Sequence, residues 1–251
     1  MTSVPILFLN TLWEEENMQS QKFSKNVLAS TVAAVMLPAF SLGFSTSAQA
    51  EVSIEPSMSI ASMYLWRGQD VSNLTPAISG ALDVGMDNGL YVGTWMSSEG
   101  AAGSYEVDLY GGWGGSSGDI SYGIGVAGYF YPQTPGDVFE SDIYEVILSG
   151  GFKDYGATLY VNAEPDDFDD YKYLSLDGPI AGAFSAHIGV TITDSGDGDY
   201  TDFGVSYAAT ENLSWTVSMA MGDAMDNAED AGSATDKTNP LVMISYSVPL
   251  K

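Results

Sequence analysis

The stretch SYEVDLYGGW, residues 104–113, decides the fold because apolar side chains alternate in it with acidic and other polar side chains. One face of the stretch carries Tyr105, Val107, Leu109, Gly111 and Trp113, and the other carries Glu106, Asp108, Tyr110 and Gly112. Successive side chains of a β-strand point to opposite faces. This period of two therefore predicts a strand with one apolar face and one acidic face.

The same alternation recurs along the chain after residue 51, whereas helical periodicity is nearly absent. Repeated period-two segments bounded by turn residues are typical of an all-β protein. They predict about twelve strands, near 52–66, 77–86, 90–97, 105–114, 120–131, 142–152, 157–162, 170–177, 183–193, 200–208, 213–221 and 240–249. No run of about 18 apolar residues follows Glu51, which excludes a transmembrane helix there.

The connections between these strands alternate in length. Tight turns fall at 87–89, 115–118, 153–156, 178–182 and 209–212, and in the first four we expect glycine at a positive φ. The other connections are mostly longer. Short turns on one side and long loops on the other are typical of outer-membrane proteins. We therefore predict a transmembrane up-and-down antiparallel β-barrel spanning 51–251, with a soluble β-sandwich as the alternative.

Aromatic residues gather near the ends of the predicted strands. In a barrel they would form two girdles at the membrane interfaces, whereas in a sandwich they would fill a core. The candidates for the girdles are Tyr64, Trp66, Tyr91, Trp95, Tyr105, Trp113, Tyr122, Phe130, Tyr131, Tyr144 and Phe152.

The first fifty residues predict a signal peptide. Lys22 and Lys25 precede an apolar segment at about 27–44, and a small-residue triplet ends at Ala50. Three consecutive glutamates lie ahead of Met18, where such a peptide needs positive charge, so we predict that translation starts at Met18 and that cleavage follows Ala50. Export and a barrel together place the protein in the outer membrane of a Gram-negative bacterium, with membrane lipid as its partner.

The charge and the cysteine count exclude several classes of protein. The chain has 33 acidic residues against seven lysines and arginines, a net charge of −26, and no cysteine. Nucleic-acid binding needs clustered basic side chains, so we expect none. Disulfide bonds and thiolate chemistry are also excluded.

From Tyr64 to Ser98, and again in the stretch YEVDLYGGW at 105–113, the sequence resembles a known family. The shared elements are Y-x-W-R-G, a Pro-Ala pair at the start of the next strand, the arm Leu90-Tyr91-Val92-Gly93-Thr94-Trp95, and an E-x-D-x-Y strand that begins at Glu106. These motifs resemble those of the TorF-like porin family of proteobacteria. The resemblance implies an exported outer-membrane β-barrel that acts as a pore, and it implies no particular solute.

The polar faces of the predicted strands would line the lumen, by which we mean the barrel interior. The lumen candidates by parity are Arg67, Glu55, Asp83, Glu106, Asp108, Glu145 and Asp202. Rings of carboxylates favour cations and exclude anions. We therefore predict a porin-like channel for passive diffusion of small hydrophilic solutes, selective for cations. The alternative is a non-conducting structural or surface-interaction barrel that acts through its external loops, above all 222–239.

Arg67 is the only arginine in the chain. With the amino terminus in the periplasm, it should lie inside the barrel at the outer end of the first strand. Two interpretations remain open. Arg67 is either a constriction charge that tunes the field in the pore, or a structural bridge that holds the first loop through Asp70 or a lumen carboxylate such as Glu106.

We expect no enzymatic activity and no cofactor. The single histidine, His187, should point into the lumen as a hydrogen-bonded filler, and no G-x-S-x-G motif accompanies it. The segment DSGDGDYTD, 194–202, has closely spaced aspartates, among them Asp194, Asp197 and Asp199 with glycines between them. It lacks the register and the final glutamate of a calcium loop, so we expect no specific calcium site.

Overall fold

The computed structural model describes residues 52–99, 104–132, 141–163, 171–222 and 240–250. The predicted signal peptide and most of the long 222–239 loop lie outside these ranges. Within them the strands are β1 (Val52–Ala61), β2 (Leu65–Trp66), β3 (Gln69–Asp70), β4 (Ala77–Met86), β5 (Leu90–Glu99), β6 (Ser104–Ser117), β7 (Ile120–Phe130), β8 (Ser141–Phe152), β9 (Tyr155–Asn162), β10 (Tyr171–Ala181), β11 (Phe184–Thr193), β12 (Tyr200–Ala208), β13 (Leu213–Met221) and β14 (Leu241–Ser247).

Twelve of the strands described here form one closed antiparallel barrel, and β2 and β3 form a separate small hairpin. The barrel follows chain order, since each strand pairs with the next one along the chain once β2 and β3 are set aside. Closure comes from β1, which pairs with β4 along its whole length and with β14 at Ser59–Ala61. The predicted all-β class and twelve-stranded up-and-down barrel are confirmed.

The two faces of the barrel wall differ in chemistry, as the alternation predicts. The outer face exposes large apolar side chains on every barrel strand, among them Ile54, Leu82, Val92, Leu109, Ile124, Leu148, Tyr155, Leu176, Ile188, Val205, Val217 and Val242. The buried side chains inside are largely acids, tyrosines, serines and threonines. The molecule is thus apolar outside and polar inside, the reverse of a soluble sandwich, and such an outer band fits a lipid bilayer.

No helix among the described residues is long and apolar enough to cross a membrane.

The first predicted strand, 52–66, is too long. β1 ends at Ala61, where Ser62 bonds to Ile244 through both its backbone N–H, at 2.8 Å, and its side-chain oxygen, at 3.0 Å. The chain then leaves the wall, although Tyr64 and Trp66 continue the apolar alternation. The period of two persists through this point, so it could not reveal where the strand stops.

The aromatic girdles are only partly as predicted. Tyr105, Trp113, Tyr122, Tyr144 and Phe152 are exposed on the outer face. In contrast, Tyr64 is buried, and Trp66, Tyr91, Trp95 and Tyr131 pack against a buried cluster that includes Tyr110 and Tyr129. These rings fill the lumen, because strand parity and the turn after β1 direct them inward.

Positive φ angles occur in four of the predicted tight turns. Three of them place glycine there, at Gly89, Gly118 and Gly182. The fourth was predicted to use Gly156 but uses Lys153, whose φ is 55°. The β8–β9 turn therefore ends two residues earlier than predicted, and β9 begins at Tyr155 and not at residue 157.

The outer apolar face can be tested with two neighbouring residues of β8. Leu148 is exposed on the outer face, and Ser149 is exposed on the inner face. We expect Leu148→Arg to cost about 2–4 kcal/mol, because it places a charge in the lipid, and Ser149→Arg to cost much less. The measurement is the free energy of unfolding of the chain refolded in lipid vesicles. Equal losses for the two variants would contradict this orientation of the wall.

Candidate functional site

The first loop, residues 62–76, turns into the barrel and carries the hairpin of β2 and β3. Leu65 pairs with Asp70 and Trp66 with Gln69, so only Arg67 and Gly68 form the turn. Both turn residues have positive φ, 46° and 79°. A two-residue hairpin turn of this sign matches the right-handed twist of the strands beside it. The lone arginine therefore stands at the tip of a tight hairpin.

Asp70 holds the remainder of the first loop together. Its Oδ1 accepts hydrogen bonds from the backbone N–H of Ser72 at 2.9 Å and from the Ser72 hydroxyl at 2.8 Å, and its Oδ2 accepts one from the N–H of Leu74 at 2.5 Å. The Ser72 oxygen in turn accepts from the N–H of Tyr64 at 2.8 Å. These local bonds let the loop keep its shape inside the barrel.

The first loop crosses the whole interior. The hydroxyl of Tyr64 donates to Glu106 of β6 at 3.0 Å. At the tip, Gly68 lies so close to Asp202 of β12 and Ala220 of β13 that any Cβ there would overlap the side chain of Asp202. Strands β6 and β12 are six places apart in the ring in either direction, so they lie opposite each other. The loop therefore spans the lumen from one wall to the other.

Arg67 forms a buried ion pair with Glu145 of β8. Its Nη2 donates to Glu145 Oε1 at 2.5 Å, and the side chains of the pair are 4% and 0% exposed. Tyr171 donates to the same oxygen at 2.6 Å and Tyr129 to Oε2 at 2.5 Å, which satisfies the carboxylate further. Burial alone would lower the pKa of Arg67, but Glu145 raises it above the ordinary value. The guanidinium thus stays charged although it is buried.

Four aromatic rings surround the same guanidinium. Its Cζ lies 4.5 Å from the ring centre of Trp66, 4.8 Å from Tyr160, 5.5 Å from Tyr171 and 4.4 Å from Tyr173. Aromatic faces attract cations at this distance, most strongly where water is excluded. We call Glu145, Tyr160, Tyr171 and Tyr173 the wall cage, since all four lie on the barrel wall.

Two other lumen carboxylates are reached by tyrosines that lie across an intervening strand. Tyr110 of β6 donates to Asp83 Oδ1 of β4 at 2.5 Å, and its ring covers Gly93 of β5 so closely that a Cβ there would overlap it. Tyr173 of β10 reaches Asp202 of β12 at 3.4 Å in the same way. An inward glycine on the middle strand leaves space for the ring and so allows these bonds.

His187 lies in the lumen between two carboxylates. Its Nδ1 is 2.7 Å from Asp177 Oδ1, its Nε2 is 2.8 Å from Asp202 Oδ1, and the Tyr173 hydroxyl is 2.9 Å from the same Nε2. An imidazole can donate to two carboxylates only when both nitrogens carry protons. This arrangement makes His187 a second fixed cation and leaves it no free nitrogen to act as a base.

The structure places the seven predicted lumen residues in two groups. Arg67, Asp83, Glu106, Asp108, Glu145 and Asp202 are all buried. Glu55 is exposed, but it pairs in register with Asp83 and so shares its inner face. Arg67, Glu145 and Asp202 meet around the first loop, Glu106 meets it through Tyr64, and Asp83 lies apart. Arg67 bonds a lumen carboxylate, as one interpretation expected, but that carboxylate is Glu145. The two partners suggested for it were wrong, because Asp70 bonds within the loop and Glu106 bonds Tyr64.

Sequence reasoning missed the wall cage and the inward hairpin. The hairpin has a local signal, because Arg67-Gly68 is an X-Gly pair between two short segments, as in a turn with two positive φ angles. The cage has none, because Glu145 and Arg67 are 78 residues apart in the chain.

A family profile described as "Bacterial protein of unknown function (Gcw_chp)" matches residues 45–247. The chain belongs to the Gcw_chp family. The match covers the barrel and the first loop together. It does not test the resemblance to TorF-like porins, which stays a prediction.

Comparisons with individual solved and curated proteins give no further evidence of function for this chain. Among solved structures, a KdgM porin matches with a TM-score of 0.49 and 10% sequence identity, over 78% of this chain and 100% of that one. We draw no functional conclusion from a likeness at this level. Comparison with curated proteins gives no match.

The buried ion pair can be measured with a double-mutant cycle. Arg67→Gln and Glu145→Gln each leave one buried charge without its partner, and we expect each to cost about 3–5 kcal/mol. The double variant should lose less than the sum of the two, because neither charge remains. The measurement is the free energy of unfolding in lipid vesicles.

The matched control for this cycle is the exposed pair Lys172 and Asp194, whose charged atoms are 4.0 Å apart. We expect the coupling energy of Lys172→Gln with Asp194→Asn to be close to zero. A coupling energy for Arg67 and Glu145 no larger than this would contradict a structural role for the buried pair.

The close approach of Gly68 can be tested against a second glycine. Gly68→Ala should move the hairpin tip away from Asp202, since the new methyl group overlaps that side chain and the φ of 79° is also strained for alanine. Gly182 has a φ of 56° but open space around it. We expect Gly182→Ala to lower the free energy of unfolding by about 1–2 kcal/mol, and Gly68→Ala to lower it clearly more. Equal losses would show that the tip is free to move.

Proposed function

We propose that this protein is an outer-membrane, porin-like channel for the passive diffusion of small hydrophilic solutes, and that its acidic lumen favours cations. The observation that carries the proposal is the closed barrel with an apolar outer face and carboxylates on its inner face. A closed barrel can cross a bilayer because every strand has a hydrogen-bonded neighbour on both sides. The bacterial family and the predicted signal peptide agree with an outer membrane.

The charges inside the barrel support cation selectivity. The acids on the inner face are Glu55, Asp83, Glu106, Asp108, Glu145, Asp177 and Asp202, and the described cations there are Arg67 and His187. Acids therefore exceed bases even after each cation is paired. An excess of fixed negative charge in a narrow, low-dielectric passage concentrates cations and repels anions.

The lumen near the tight turns supports the passage of hydrophilic solutes. Ser57, Ser121 and Ser149 lie on the inner faces of β1, β7 and β8, and all three are exposed to solvent. Small hydroxyl side chains leave space and offer hydrogen bonds to water. We infer that water reaches this part of the lumen, below the first loop.

The first loop favours a second candidate function, a non-conducting barrel that acts through its external loops. The loop spans the interior, and the side chains around it, Tyr129, Asp108, Glu145 and Asp202, are each at most 2% exposed. Side chains packed this closely around the first loop would close the lumen and stop solutes from passing. Neither candidate function includes catalysis or a cofactor.

Electrical recording distinguishes the two candidates. The full mature chain is refolded and inserted into a planar bilayer under a potassium chloride gradient. We expect small discrete conductance steps, because the first loop narrows the passage, and a reversal potential on the cation-selective side. Stable insertion without steps would favour the non-conducting barrel. Failure to insert would contradict a membrane barrel. A preference for anions would contradict selection of cations by the lumen carboxylates.

Selectivity should depend on acids inside the barrel and not on acids elsewhere. Glu55→Gln removes an exposed lumen charge, and we expect it to lower the ratio of potassium to chloride permeability. Asp119→Asn removes another exposed acid, from the β6–β7 turn at the rim, and should change the ratio less. The measurement is the reversal potential of each variant, and an unchanged value for Glu55→Gln would count against a lumen role for that residue.

A further inference from the structure

The guanidinium of Arg67 is held by the wall cage, whose side chains all come from barrel strands and not from the first loop. Glu145 lies on β8, Tyr160 on β9, and Tyr171 and Tyr173 on β10, so three consecutive strands supply the wall cage. Only Trp66 comes from the loop itself. The arginine is therefore related to the wall as a ligand is to its binding site, with the hairpin as its tether.

The wall cage has the chemistry that recognises a planar organic cation. Glu145 is held in place by hydroxyl donors from Tyr129 and Tyr171, which leaves its Oε1 directed at the guanidinium. The three cage rings lie 4.4–5.5 Å from the cation centre. A planar, weakly hydrated cation gains both from a carboxylate and from stacking on aromatic faces, whereas a compact ammonium is bound to its water more strongly.

We propose that the wall cage is a binding site for small organic cations of the guanidinium class, and that Arg67 occupies it as a tethered, built-in ligand. A free cation of this class competes with Arg67 for Glu145 and the three tyrosines. When the free cation binds in place of Arg67, the hairpin loses its ion pair with Glu145 of β8. The first loop is then released from this side of the lumen. This inference rests on the cage contacts and does not require the barrel to conduct.

Tethering makes Arg67 a strong competitor in the native chain. A group linked by a short segment acts at an effective concentration in roughly the millimolar range or above. External cations of low affinity are therefore largely excluded while Arg67 is present. Removing the arginine side chain should reveal the site, and binding to the variant then becomes the direct test.

The choice of variant follows from the backbone at residue 67. Its φ of 46° is strained for most residues but suits asparagine and glycine. Arg67→Asn and Arg67→Gly therefore empty the cage while keeping the hairpin turn favourable. Lys153 supplies the matched control, because it is also a cation at positive φ, 55°, over an aromatic ring, but it is exposed in a tight turn.

The experiment is calorimetric titration of the refolded full chain with methylguanidinium chloride, against sodium chloride at equal ionic strength. We expect saturable binding to Arg67→Asn with an affinity at least roughly tenfold above that of the native chain, since the tethered competitor is gone. Lys153→Asn should behave like the native chain. Methylammonium should bind Arg67→Asn more weakly than methylguanidinium does, and Glu145→Gln added to Arg67→Asn should abolish binding.

Several outcomes would overturn the proposal. These are equal binding by the native chain and Arg67→Asn, binding that survives Glu145→Gln, and an affinity for methylammonium equal to that for methylguanidinium. Folding is checked first by the mobility of unheated samples on denaturing gels. If Arg67→Asn does not fold, Arg67→Gly takes its place, and folded Arg67→Gly that binds no methylguanidinium also rejects the site. None of these results depends on single-channel conductance.

Discussion

The structure depends on the closing of the barrel between its first and last strands. Strand β1 must serve two neighbours, and it meets β14 over only three residue pairs, Ser59–Ala61 with Ser245–Ser247, against ten pairs with β4. Once this seam is made, no edge strand remains among the twelve. Each side chain in the wall then points either outward or inward, and the apolar exterior and polar interior follow from that choice.

A ring of twelve strands encloses more space than single layers of side chains can fill, and this chain fills part of it with its own first loop. The loop brings one arginine into a region with several carboxylates. Each acid there needs donors in place of water, and tyrosine hydroxyls supply them: Tyr64 for Glu106, Tyr129 and Tyr171 for Glu145, and Tyr110 for Asp83. The abundance of tyrosine therefore reflects the chemistry of the lumen as much as a membrane interface.

The barrel could be predicted from the sequence because lipid on one side and polar groups on the other impose a period of two on every strand. β4 was predicted at 77–86 and extends over Ala77–Met86, since its apolar residues alternate to both ends. The first loop could not be predicted in this way. Tyr64 and Trp66 continue the apolar alternation of β1, so their inward turn has no signal in the pattern. What directs them inward is a hairpin at Arg67-Gly68 and an ion pair to Glu145, a residue far away in the chain.

The contacts of the first loop also constrain how the barrel can fold. It connects β1 and β4, the first two barrel strands in chain order, yet its contacts lie on β6, β8, β10, β12 and β13. All of these are synthesised after it. A segment tied at both ends to neighbouring strands is enclosed most simply when the later strands curl around it, because every contact joins early residues to late ones. We therefore expect the later strands to close around the first loop, with the pairing of β1 and β14 forming after the loop has made its contacts.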